Sequence, residues 1–224
     1  MAIYAVQGLC AAGCLFTTYR LLEHGLNLPF FSKPEGVFNE TIKKFVDSQA
    51  KKMGLEKEVV VVSTLKQGSE WDYSSYGNTW LPGKVTIEVN YELEDYEITL
   101  DKFEIARQIA HIKANDHLII PVAILAASLF TTFVLTVNRD LFTRYVGGLG
   151  TALMTYVILM RRAERRADLE AIKHCSKKVN QKCLDTLLEV KEKKQDFYSW
   201  ILESSFDEKI GYFQAHLDLQ KEDL

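Results

Sequence analysis

The chain lacks an excess of charge of either sign. It has 27 lysines and arginines against 30 aspartates and glutamates, a formal net charge of −3. So small a bias gives no electrostatic footprint for a phosphate backbone, and nucleic acid is not an expected partner. Cysteine is scarce and poorly spaced for metal. The four cysteines include no C-x-x-C pair, which leaves neither a zinc knuckle nor a dense disulfide framework and points to reduced thiols. Cys10 and Cys14 lie in an apolar stretch, Cys175 and Cys183 along a charged, helical one. The N-terminus also lacks the basic n-region of a secretory leader, and no cleavage site follows it.

What is present is unevenness. A mean hydropathy of −0.07 averages three nearly charge-free stretches with a highly charged remainder. From Leu118 to Val137, "LIIPVAILAASLFTTFVLTV" carries no ionisable side chain. About 20 such residues, at about 1.5 Å rise each, cross a hydrocarbon core of about 30 Å. After a short polar link, "LFTRYVGGLGTALMTYVILM" runs from Leu141 to Met160, with Arg144 near enough to its start to snorkel. Pro121 is compatible with a first helical turn, where N–H groups are spare. These runs predict a transmembrane hairpin over 118–160, with the lipid bilayer as a partner. Residues 1–22 predict an N-terminal apolar anchor or transmembrane helix. The basic run "RRAERR", Arg161 to Arg166, follows the hairpin directly. By the positive-inside tendency it places the main domain on the cytosolic side.

The polar parts, 23–117 and 161–224, read as one domain interrupted by the hairpin. "NLPFFSKPEG" is a linker. Val37, Ile42, Phe45 and Val46 form a helical stripe ended by Gly54. "EVVVVSTL" predicts a buried strand, and "KVTIEVNYEL", with Val85, Ile87 and Val89 on one face, an edge or half-buried one. The segment between them, rich in turn residues, predicts a loop; its Trp71 and Trp80 read as core or interface packing. Asp101 and Glu104 have the form of a capping box for a helix carrying Arg107, Gln108 and His111 and running into the first apolar run. "RRAERRADLEAIKHCSKKVNQKCLDTLLEVKEKK" predicts one long helix, buried along Ala167, Ile172, Val179, Cys183 and Leu187; "FDEKIGYFQAHLDL" predicts a short amphipathic one.

The stretch "EIARQIAHIKANDHL", Glu104 to Leu118, has the frame of an H-E-x-x-H zinc helix with other letters in it. That motif places two histidines one turn apart and a glutamate beside the first. Here Arg107 and Gln108 stand where the first histidine and the glutamate belong, and His111 keeps the second position. "GNTWLPGKVTIEV", with Asn78, Pro82 and Gly83, "IARQIAHIKAND", "RRAERRADLEAI" and "FDEKIGYFQ" together resemble the integral-membrane zinc metallopeptidases of the HtpX type, relatives of the CAAX prenyl endopeptidases. The resemblance spans roughly Glu58 to Leu217. It implies an α+β fold on a zincin-like scaffold, mainly helical with a small sheet, interrupted by the hairpin.

The resemblance also implies roles. His111 and Glu164 match metal ligands and Asp168 an acidic neighbour of the ligand set; Gln108 holds the general-base position. Arginine cannot deprotonate to bind zinc and repels it. Glutamine cannot take a proton from water near neutral pH. Two ligands fall one short of the usual three for catalytic zinc, and His117, six residues beyond His111, faces elsewhere on a straight helix. No catalytic set is intact and no cofactor is expected. The resulting expectation is a catalytically inactive pseudoprotease acting by binding or regulation, with a protein or peptide in the former substrate groove. The alternatives are an active zinc-dependent endopeptidase with non-standard ligands, and a structural membrane protein. If the two helices cross as in that family, Arg107 pairs with Glu164 in the metal's place.

Overall fold

The computed structural model describes residues 17–19, 21–22, 40–64, 73–82, 84–90, 98–135, 140–190 and 205–222. The expected N-terminal anchor lies almost wholly outside the described residues, as do the linker after it, Trp71, Cys10 and Cys14.

Helix α1, Glu40–Lys52, carries three residues of the expected stripe, with Val46 fully buried and Ile42 and Phe45 packed against the core; Val37 lies outside the described residues. It stops at Gly54, whose φ of 73° only glycine adopts without penalty. Leu55 N–H reaches Ala50 O and Gly54 N–H reaches Lys51 O, at 2.9 and 3.1 Å. Such a pair of bonds satisfies the last carbonyls of a helix.

Strand β1, Val59–Thr64, and strand β3, Val85–Asn90, run parallel, with β2, Tyr73–Tyr76, antiparallel on the far side of β3. The order β1-β3-β2 makes β3 central, where an edge or half-buried strand was expected. Its alternation misled because the second face is covered too: buried Glu88 accepts a hydrogen bond from the Tyr76 hydroxyl at 2.7 Å. β2 itself was hidden in a segment that reads as loop; the strand pairs through its backbone although its serines are poor strand formers.

Helix α2, Ile98–Lys113, starts before Asp101, which therefore sits inside the helix rather than capping it. It does not run on into the apolar segment. Asn115, at φ 59°, breaks the chain, and α3, Asp116–Leu135, starts anew. Asparagine tolerates this left-handed conformation better than other side-chain-bearing residues. Because α3 begins at Asp116, Pro121 lies beyond its first turn. Helix α4, Leu141–His174, is capped by Asp140, which accepts from Thr143 N at 2.9 Å. The long charged helix expected after the hairpin is interrupted at Cys175 and Ser176, and continues as α5, Lys177–Val190. Asn180, fully buried, bridges the break by donating to Ile172 O at 2.8 Å. Helix α6, Phe206–Glu222, opens with a capping box in which Ser205 and Glu208 bond each other's backbone N–H.

The molecule is thus α+β, mostly helical with one small sheet. One core joins α1, β1, β3, α2, the second half of α4, α5 and α6, with Ile87, Ile109, Ile112, Ala171 and Phe213 at its centre. A second, small cluster of Ile120, Ile124 and Ala163 lies between α3 and α4. Among the described residues no single helix is long and apolar enough to cross a membrane; Lys102–Lys113 and Asp116–Thr131, bent by 51°, pass together on length and composition.

Candidate functional site

Two helix faces build the site. On α2, Glu104, Arg107 and His111 recur at helical spacing, and on α4 Glu164 and Asp168 stand one turn apart. The helices pack side by side because Ile105, Ala106, Ile109, Ala167 and Ala171 bury their common seam. Arg107 lies in the middle. Its guanidinium is ion-paired with Glu164, approaches Asp168 with Nε at 3.0 Å, and reaches Glu104 with Nη1 at 3.2 Å. Lys209 from α6 stands 4.0 Å from the other oxygen of Asp168.

His111 occupies the adjacent turn, 6 % exposed. Its Nδ1 is 2.8 Å from Asp116 and its Nε2 3.5 Å from Glu164. Asp116 is held in turn by Arg166. Burial alone lowers the His111 pKa, but the two carboxylates outweigh it and raise the pKa to about 9. The ring is therefore an imidazolium at neutral pH, with both nitrogens donating. Glu164 has the same conflict resolved the other way. Burial raises its pKa, yet Arg107 and His111 hold it well below the usual carboxylate range. Burial pushes Asp168 up against Arg107 and Lys209. The cluster balances cations Arg107, His111, Arg166 and Lys209 against Glu104, Glu164, Asp168 and Asp116.

Gln108 faces the sheet. The Ser75 hydroxyl of β2 donates to Gln108 Oε1 at 2.7 Å, and His117 Nε2 lies 2.7 Å from the Ser75 Oγ itself. A hydroxyl has one proton, so with that proton on Gln108 the His117 nitrogen must be the donor. His117 comes this close only because of the break at Asn115; its ring centre lies 6.1 Å from that of His111. The straight-helix expectation that turned it away is corrected on that account. His174 remains remote, next to Glu170 at 3.3 Å.

These residues do not fit a zinc ion. Both His111 nitrogens are committed to carboxylates, Glu164 is committed to two cations, and the guanidinium of Arg107 stands between the two helices. Among the described residues no three histidines, cysteines, aspartates or glutamates converge as ligands. Among the described residues the thiols add no ligand: Cys175 and Cys183 are buried, with pKa values pushed by burial to about 11 and about 12.

The structure thus brings together Arg107, His111, Glu164 and Asp168 and places Gln108 on an adjoining network with Ser75. Asp116, Arg166, Ser75 and His117 were not read as site residues. The Asn-Asp pair at 115–116, a frequent turn and helix-start signal, marks the break that recruits Asp116 and His117. No family model, no curated protein and no solved structure matches the chain.

Proposed function

We propose that this protein is a membrane-embedded, metallopeptidase-like scaffold that binds without cleaving. The observation that carries the reading is the guanidinium of Arg107 among Glu164, Asp168 and Glu104. A permanent cation there opposes a divalent ion and offers no lone pair to it. Gln108, bonded to Ser75, has no basic oxygen with which to activate water. The helix crossing and the adjoining sheet support a zincin-like origin, in which an ion pair took over the joining role of zinc.

The membrane part of the reading rests on the hairpin's outer surface. α3 and α4 pair through Ile120, Ile124 and Ala163, yet turn Val122, Leu129, Phe130, Leu153, Met154 and Ile158 outward. Phe130 is 70 % exposed. Side chains of this kind, facing out along both helices, suit lipid better than water. The basic run after Met160 favours the cytosolic side for the rest of the chain. Binding falls to the sheet beside Gln108, where β2 is an end strand among the described residues; an extended peptide or protein segment is the occupant this reading assigns.

The test is metal analysis of the purified full chain together with a peptidase assay. The expected result is substoichiometric zinc and no cleavage sensitive to chelators. Stoichiometric zinc with chelator-sensitive cleavage overturns the proposal.

A further inference from the structure

We infer that the Trp80–Leu81 loop is an interfacial anchor, seated in the lipid headgroup layer beside the base of the hairpin, with Arg162 and Arg165 of the adjoining basic turn facing lipid phosphate. This rests on the membrane reading above and adds a lipid-contacting surface to it. The loop is held firmly from beneath. Leu81 N–H donates to Asn78 Oδ1 at 2.6 Å, and Lys57 donates to the Asn78 carbonyl at 2.6 Å and to that of Leu81. Thr79 donates through its N–H and its hydroxyl to Asn115 Oδ1 at 2.6 and 2.9 Å. All this ordering leaves the two large apolar side chains outside: Trp80 is 66 % exposed and Leu81 43 %. Of the two expectations for Trp80, core or interface packing, its exposure removes the core one.

Two contacts set the depth of this surface. Asn115, which grips the loop, immediately precedes α3, and Ile119 N–H bonds its carbonyl at 2.9 Å. Ile119 and Val122 are themselves exposed, so apolar surface continues from the loop onto the hairpin. On the other side Arg166 pairs with Asp116 at the same end of α3, which places the basic turn of α4 beside it. Arg162 lies one turn, about 5.4 Å, nearer the hairpin. It has no anionic partner among the described residues. Arg165 lies over the Tyr212 ring at 5.4 Å. An indole on one side of the start of α3 and guanidiniums on the other, bordering an apolar surface, match the chemistry of a headgroup layer.

The full chain is reconstituted in phosphatidylcholine vesicles with or without phosphatidylglycerol, and the fluorescence of Trp80 is taken as native minus Trp80→Phe. The expected signal is blue-shifted, quenched by lipid brominated near the headgroup and protected from aqueous acrylamide. Phosphatidylglycerol increases the shift, and an Arg162→Gln/Arg165→Gln chain loses that increment. Retention of the full increment by that chain overturns the arginine contact. A chain that floats with the vesicles while acrylamide alone quenches Trp80 overturns the anchor and leaves the membrane reading standing. Protection from both quenchers means that protein covers the loop, and overturns it equally. A chain that does not float with vesicles sinks both readings.

Discussion

The two halves of α4 present opposite solutions to one problem. From Val146 to Ile158 the helix turns apolar side chains outward; from Ala163 to Ile172 the same helix buries Asp168 and half-buries Glu164. In the first half the unburied atoms need no partner, only a solvent that tolerates them. In the second, Glu164 and Asp168 are kept only because Arg107, His111 and Lys209 surround them. Position along a helix therefore says less about environment than the partner facing it does. Leu153 and Asp168 are both out of place by ordinary surface and core statistics, and each points to what must lie against it.

The comparison breaks most readily at Arg107. Arg107→Met leaves Glu164 and Asp168 buried without their central cation, and the expected loss is about 3–5 kcal/mol by denaturant titration. Arg107→Met/Glu164→Leu is expected to lose less than the single change; equal losses in the two chains would remove the ion pair as a structural unit. In the other half, Leu153→Lys separates lipid from water. A charge near the bilayer centre costs about 2.5–3.5 kcal/mol, whereas in water an exposed substitution changes stability by roughly 0.5 kcal/mol or less. Membrane insertion yield and thermal stability of the variant decide between them.

Titration sharpens the buried half. The His111 pKa is raised from 6.5 to about 9 on folding, so the folded state holds the proton more tightly than the unfolded one. Its stabilising contribution is complete below pH 6.5 and is lost as pH climbs towards about 9. Stability should fall across that window by up to about 1.4 kcal/mol per pH unit. In a His111→Gln chain this slope should be gone; an unchanged slope assigns it to another group. The smallest effect is expected where the halves meet. Asn115→Ala removes the acceptor of Thr79 and disfavours φ 59°, for about 1–2 kcal/mol. Amide exchange should quicken at Thr79 and leave α5 unchanged.

Several local features were legible because one residue type settles each. Gly54 ends α1 where a left-handed residue is needed, and Val85, Ile87 and Val89 do share a buried face. Ala167, Ile172, Val179 and Cys183 mark the buried side of α4 and α5 as their spacing predicted. The neighbours of Arg107 were legible only in part. The resemblance to a metal-binding frame pointed to Glu164, while Glu104 and Lys209 come from packing. The strand β2 and the network of Ser75, Gln108 and His117 were hidden for a related reason. Backbone pairing across a sheet needs no side-chain signature, and a helix break at one asparagine redirects everything after it.

By itself the sequence determined where the chain is apolar, which faces of its helices are buried, and that a guanidinium and a carboxamide, Arg107 and Gln108, stand one turn before His111 on α2. These follow from periodicity and side-chain chemistry, which act within a few residues. Tertiary structure alone decided that β3 is central, that Asp116 and Arg166 complete the charge balance around His111, and that Trp80 projects outward beside α3. Those outcomes depend on which distant groups meet, and burial then turns each meeting of charges into a requirement for a partner.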